Sequence, residues 1–522
     1  MQPYLTKEPT GVQWMVDGKP FLVLGGEVHN SSSSSLSYME PIWEKLRDLG
    51  LNTVLAPIYW ELIEPEEGKF DFALLDGLME GARSHGLHLI LLWFATWKNT
   101  LSHYVPEWVK TDFARFPRAL SADGRILPSV SCLSGECRRL DARAFAQVMA
   151  HIRETDRDYT VIGMQVENET GLLDSPRDYR PEATALFESP VPEELAAFLR
   201  EREGALSPEL ARHLRPEGLS GNWREAFGLL AEEAFMAYHT ARYVGAVAAA
   251  GKAEYDIPMF VNAWPAQCPG EPGGVHPSGG PVAAMHDIWR CAAPALDALA
   301  ADLYLENFAE ECAAYTRLPG NPLVIPEGRP DRWFMAHAFY AFAEHGALCY
   351  SPFGIEDVGH IQAPPPDAVI QSVFQTFEGR DTSALIRGTY GILRSMSRLI
   401  CANRGTGKMH GILQGRLMNQ MVELSGYYAH ISFANFVDRM EIPAGGMILE
   451  LGENDFLLAG AGYSVRLVPK PETPPHFEYL SIEEGSFVDG QWVCRRRLNG
   501  DELHPVLPAE PTLLRVRLFG YR

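Results

Sequence analysis

The sequence is poor in basic residues. Lysine and arginine number 45 against 67 aspartates and glutamates, a formal net charge of −22. Such a deficit excludes a diffuse electropositive surface for phosphate backbones, so no nucleic-acid partner is expected. Long apolar runs are also missing. None reaches membrane-spanning length, and the opening MQPYLTKEPTG has no basic stretch leading into an apolar one, so no membrane partner is expected and the expected compartment is the cytoplasm. Cysteine is sparse and scattered, at Cys132, Cys137, Cys268, Cys291, Cys312, Cys349, Cys401 and Cys494, mostly inside apolar segments. That placement suits buried reduced thiols better than a disulfide framework. The close pair Cys132 and Cys137 lacks further Cys or His ligands at a metal spacing. HExxH, GxSxG and GxGxxG do not occur, and Gly405-Thr406-Gly407-Lys408 lacks both the earlier glycine and the following Ser or Thr of a phosphate loop. No cofactor and no metal are therefore expected.

What is present is the material of a large core, with 46% hydrophobic and 11% aromatic residues. From Phe21 onward, short apolar runs alternate with amphipathic stretches, the pattern of βα units around a parallel sheet. Eight runs read as strands: 21–29, 51–60, 87–95, 160–169, 258–264, 301–308, 322–328 and 347–354. Between them, Met39, Ile42, Leu46 and Leu49 mark one helical face closed by Gly50, and Leu74, Leu75, Leu78 and Ala82 mark another closed by Gly86. Number and order predict a (β/α)8 TIM barrel over residues 1–403, with a helical insertion around 172–232 and a Gly/Pro-rich loop over 265–281. Residues 404–522 change to short β-like runs separated by Gly, Pro and Asn, and read as a smaller all-β, sandwich-like domain.

The fourth run ends in Gln165-Val166-Glu167-Asn168-Glu169 and the seventh in Glu327. Carboxylates at strand ends are expensive to bury without partners, so they are expected to line a polar cavity at the barrel mouth. Cleavage of a glycosidic bond needs two carboxyl groups flanking the anomeric carbon, and this pair qualifies. The Asn-Glu pair ending strand four and the Glu ending strand seven resemble glycoside hydrolase clan A. Within it, QVENE resembles the QxENE segment of family 35 bacterial β-galactosidases. So does Asn52-Thr53-Val54 running on to Tyr59-Trp60 and to Glu64-Pro65-Glu66-Glu67-Gly68-Lys69-Phe70-Asp71-Phe72. The resemblance implies Glu169 as acid/base and Glu327 as nucleophile, Asn168 on the sugar 2-hydroxyl and Tyr304 orienting Glu327. Glu167 is expected to support the site from behind. Trp60, Trp93, Trp97 and Trp264 are candidate platforms for sugar faces, and His29, Glu61 and Asn262 candidate hydroxyl partners.

The sequence departs from the family at Ile63, where a His is usual, at Glu61 in place of Asn, and in GGEVHNSS where SGxxHY is common. The expected activity is a retaining, exo-acting β-glycosidase acting on an oligosaccharide or β-galactoside. β-Glucosidase or transglycosylase activity on the same pair is the alternative, and a catalytically silent carbohydrate-binding protein the more distant one. A homo-oligomer is left open. Retention requires a carboxyl separation of about 5 to 5.5 Å and a raised pKa at the acid/base.

Overall fold

The apolar runs pair as parallel strands. The computed structural model describes residues 1–7, 11–266, 268, 270–304, 306–359, 381–433 and 444–521. In chain order, strands one to eight are Val23–Leu24, Thr53–Tyr59, His88–Phe94, Val161–Val166, Met259–Ala263, Ala298–Ala301, Val324–Ile325 and Cys349–Tyr350. Strands two to six form one parallel sheet, and strands seven, eight and one form another. Two seams join them. Glu27, past strand one, pairs with Leu55 of strand two and with Phe353 past strand eight, while Leu303 past strand six pairs with Gly328 past strand seven. At these seams Leu55 N–H donates to Gly26 O at 2.9 Å and Leu303 N–H to Glu327 O at 3.0 Å. The strands thus follow one another round a closed ring in chain order, the order of a (β/α)8 barrel.

Two-sided burial explains why these strands read as continuous apolar runs. Leu55, Ile90, Leu92, Ile162, Phe260, Ala298, Ala300, Val324 and Cys349 share one interior cluster. The residues between them, including Val54, Ala56, Leu89, Leu91, Val261 and Leu299, join the helix residues Leu46, Leu78 and Phe145 in a second. A small antiparallel sheet of Tyr4–Leu5, Trp14–Val16 and Lys19–Phe21 brings Trp14 into the interior cluster, where its indole N–H donates to Ile162 O at 3.1 Å. Gly163 is required there, since a Cβ would sit 2.6 Å from the Trp14 ring.

The helices Leu36–Asp48 and Ala73–Ser84 are followed by Gly50 and Gly86 at φ +89° and +68°, the left-handed residues that close them. Between strand four and the long helix Ala231–Glu254 lie the short helices Pro181–Glu188, Glu193–Glu201, Pro208–His213 and Trp223–Phe227. Strand six is displaced from its expected span of 301–308. It runs over Ala298–Ala301; beyond it the Asp302 N–H still donates to Ala263 O at 3.0 Å and Leu303 pairs across the seam, while the Asp302 and Tyr304 side chains bond with Asn262 and Glu327. Leu305 of that run, and Gln267 and Pro269 of the Gly/Pro-rich loop, lie outside the described residues.

After the helix Ser383–Asn403 come a six-stranded and a four-stranded antiparallel sheet. Alternate residues of both, such as Ile448, Leu458 and Val516 from one and Ile431 and Val465 from the other, fill a common core. The opposite face of the six-stranded sheet, through Met447, Leu449, Leu457 and Ala459, belongs to the barrel's own core. Gly445 marks the close approach, where a Cβ would lie 2.2 Å from the Ala336 carbonyl of helix Arg332–Glu344. Among the described residues no helix is long and apolar enough to cross a membrane.

Candidate active site

The strand pattern carries polar residues to one end of the ring. Glu27, Asn262 and Asp302 continue the alternation of the interior residues Val23, Phe260 and Ala300, so their side chains enter the mouth instead of the helix layer. Lys98 and Asn99 follow strand three, Asn168 and Glu169 follow strand four, and Glu327 follows strand seven. Glu167 and Glu169 hold left-handed backbone, at φ +63° and +44°. Non-glycine residues in that region carry about 1 to 3 kcal/mol of strain each, which clusters where a fold has to aim a side chain.

Glu327 is 4% exposed and has the most donors. Its Oε1 accepts from Asn168 Nδ2 at 3.0 Å and Asn262 Nδ2 at 3.5 Å, and its Oε2 accepts from the Tyr304 hydroxyl at 2.9 Å. The Lys98 ammonium lies 4.0 Å from Glu327 Oε1 and donates to Asn168 Oδ1 at 3.0 Å. Glu169 accepts from Asn99 Nδ2, and its backbone N–H donates to Asn262 Oδ1 at 3.0 Å. Asn262 also donates to Asp302 Oδ2 at 2.7 Å. One carboxyl oxygen from each of Glu169, Asp302 and Glu327 lies within 4.8 Å of the others. That spacing could bracket a cation, and the positive charge the chain itself supplies there is Lys98.

So many acids in a dry site cannot all ionise. Burial, then the charge of Glu327, raises the pKa of Glu169 to about 7, against the pull of Lys98, Asp302 and Asn99. Burial, then Glu327 and Glu169, holds Asp302 well above the usual carboxylate range. Burial and Glu327 do the same to Glu27, whose two carboxyl oxygens are buried and, among the described residues, have no hydrogen-bond partner. For Lys98 burial opposes the charge, but the surrounding acids, Glu327 foremost, outweigh it and raise its pKa. Behind the mouth, Glu167 shares a hydrogen bond with Asp141 and accepts the Trp97 backbone N–H at 2.8 Å, and burial followed by the Asp141 charge raises it strongly.

Of the residues picked out in the sequence, the fold brings Asn168, Glu169, Asn262, Tyr304 and Glu327 into one hydrogen-bonded group. Three tryptophans need correcting. Trp60, Trp93 and Trp97 are at most 1% exposed, so no ring face is left for a sugar. Trp60 donates to the buried Glu64 at 3.0 Å and packs edge-on against Trp108. Trp93 continues the outer set Leu89 and Leu91 and donates to Asp141 at 2.8 Å, and Trp97 packs edge-on against Tyr243. Trp264, next after strand five, is half-buried at the mouth end. Glu61 pairs with Lys110, and His29 with Asp357 at 2.8 Å on the rim. The sequence reading passed over Glu27, Lys98, Asn99 and Asp302. For Glu27, Lys98 and Asn99 the one legible signal was position, near or just past the end of an apolar run, whereas Asp302 sits at the start of the run read as 301–308.

Residues 33–205 match the family described as "Beta-galactosidase". That segment is similar to a glycoside hydrolase domain. Residues 386–508, covering most of the β domain, match a domain of unknown function, DUF5597. The chain is 27% identical over 189 residues to a beta-galactosidase of Xanthomonas manihotis, which is 34% of this chain and 28% of that protein. It is 28% identical over 172 residues to beta-galactosidase-1-like protein 3 of Homo sapiens, 32% of this chain and 24% of that one. The matched segment thus spans about a quarter of the length of these curated relatives. Among solved structures, a beta-galactosidase from the psychrophilic Marinomonas ef1 aligns with a TM-score of 0.48 at 14% identity, over 73% of this chain and 61% of that one.

Proposed function

We propose that the protein is a retaining, exo-acting β-glycosidase with β-galactosides as its leading substrates, resembling the family 35 enzymes. The observation that carries this reading is the approach of Glu169 and Glu327 across the barrel mouth, with carboxyl oxygens within 4.8 Å of one another. Inverting enzymes hold the two groups about 6.5 to 9.5 Å apart to admit water, whereas retaining ones hold them about 5 to 5.5 Å apart. Glu327 attacks the anomeric carbon, the glycosidic C–O bond breaks, and the proton of Glu169 passes to the leaving oxygen. The resulting ester on Glu327 carries no charge. Glu169, whose pKa of about 7 owes part of its elevation to that charge, becomes the stronger acid and so stays ionised to take a proton from water. Water then attacks the same carbon from the side the leaving group vacated, and Glu327 departs with stereochemistry retained. Tyr304 and Asn168 hold Glu327 between them, and Asn168 is bonded on its other side by Lys98; in this reading Asn168 is the partner of the 2-hydroxyl.

A panel of aryl β-glycosides assayed with wild type and Glu327→Gln tests this. The wild type is expected to release the β-anomer first, seen by proton NMR, and the variant to lose at least about 10³-fold in kcat. Undiminished turnover in the variant, or the α-anomer appearing first, would refute it. Faster cleavage of the β-glucoside than of the β-galactoside would change the sugar and leave the mechanism standing.

A further inference from the structure

The loop that brings Asn99 to Glu169 runs on to wall a separate cavity of about 530 Å³, lined by Ser102, His103, Lys110, Phe113, Arg118 and Leu127 among others. Arg118 is 8% exposed. Among the described residues its Nη1 has no hydrogen-bond partner, its Nη2 reaches only the Lys110 carbonyl at 3.5 Å, and its guanidinium lies 5.1 Å from the Phe113 ring centroid. Burial lowers its pKa, and the group that acts against this is the Cys137 thiol, with no carboxylate beside it. A buried charge without a counter-ion costs several kcal/mol, and a ligand that supplies the opposite charge recovers it. Lys110, the cavity's second cation, pairs with Glu61, so the three side chains leave one net positive charge (two cations less one carboxylate). On a chain of net charge −22 this is a local reversal of sign.

The cavity's position gives it a side of the substrate. Ser102 is three residues from Asn99, hence no more than about 11 Å away by Cα steps of about 3.8 Å, a span that one or two sugar units cover. Asn99 touches Glu169, Thr100 N–H donates to Glu169 O at 3.1 Å and Ser102 N–H to Pro128 O of the cavity wall at 3.2 Å, so with Glu169 read as the proton donor the wall begins beside the leaving-group side.

We propose that this cavity is a subsite for an anionic substituent, a carboxylate or sulfate, on the leaving-group portion of the substrate, held by Arg118 and Lys110. The proposal rests on the reading of Glu169 as acid/base. Two matched pairs of galactosides test it: methyl galactosyl-(1→4)-glucuronoside against its methyl ester, and galactosyl-(1→4)-N-acetylglucosamine 6-sulfate against its unsulfated parent. In at least one pair the anionic member is expected to be cleaved with about ten- to a hundredfold higher kcat/KM, the size of a hydrogen bond to a charged group. The pair that responds identifies the anion. Arg118→Met should abolish the preference, and Arg118→Lys should restore part of it. Equal kcat/KM within both pairs overturns the proposal without any variant, as does a preference that a folded Arg118→Met keeps. Hydrolysis of 4-nitrophenyl β-galactoside by the wild type reports separately on the glycosidase reading. If that fails, calorimetric binding of glucuronate and of N-acetylglucosamine 6-sulfate to the wild type decides the subsite, with no heat from either overturning it.

Discussion

Replacing Glu327 by Gln should make Glu169 a stronger acid by an amount the structure fixes. The two carboxyls have oxygens within 4.8 Å of each other, and at an effective dielectric of about 20 unit charges at that distance interact by about 3.5 kcal/mol, or about two and a half pH units of a titration midpoint. The sign is definite. Glu327 disfavours the ionised form of Glu169, so removing its charge lowers the midpoint from about 7. Burial, the larger cause, remains, and Lys98, freed of Glu327, pulls in the same downward direction. A fall of at least about one pH unit is therefore expected. Carboxyl ¹³C NMR on glutamate-labelled protein measures it, with the Glu169 resonance assigned by its loss in Glu169→Gln. A midpoint that stays put or rises would refute the acid-to-base exchange, because the covalent ester removes the same charge. In the wild type, kcat/KM should decline above about pH 7 as the acid loses its proton.

Lys98→Met removes the cation 4.0 Å from Glu327 and the donor 3.0 Å from Asn168 while keeping an unbranched side chain. A loss of about a hundredfold in kcat/KM is expected, from interactions to charged groups worth about 1.5 to 3 kcal/mol each, and an unchanged value would remove Lys98 from the site. Glu27→Gln should stabilise the fold at alkaline pH. Its carboxyl is held well above 4.5 in the folded chain, so folding binds a proton and stability falls as pH rises from the unfolded midpoint toward the folded one. Thermal unfolding at pH 5 and pH 8 should show the variant losing fewer degrees than the wild type between the two, a difference on the order of a few degrees. Identical losses would show that Glu27 has a partner in solution.

The ring of strands was legible because burial on both faces writes each strand as an apolar run, and the runs came in the right number and order. Glu169 and Glu327 were legible because each ends such a run within a recognisable motif. What the runs hide is which way a residue faces at their ends. Trp93 and Asp302 each lie within a run read as a strand, yet one continues the outer alternation into the helix layer and the other the inner alternation into the mouth. Strand six showed the same difficulty at its boundary, since the aromatic and apolar residues after Ala301 keep a β-like composition while the Asp302 and Tyr304 side chains turn to Asn262 and Glu327 in the mouth. Lys98 could not be found by pattern, because its value lies in Asn168 and Glu327, which come from other strands.

Donor count separates the four acids in the mouth more firmly than position does. Among the described residues Glu327 faces Asn168, Asn262 and Tyr304 with Lys98 behind them, whereas Glu169 has side-chain hydrogen bonds with Asn99 and Asp302, Asp302 takes a donor from Asn262, and Glu27 takes none. Donors favour the ionised form of a carboxyl and burial the neutral form, so burial raises the pKa of Glu169, Asp302 and Glu27, while the donors and the buried ammonium gather on Glu327. A nucleophile has to be ionised and a general acid has to be protonated before substrate arrives. The same asymmetry supports the proposed roles, attack for Glu327 and proton donation for Glu169, by an argument separate from the motif that first suggested the pair.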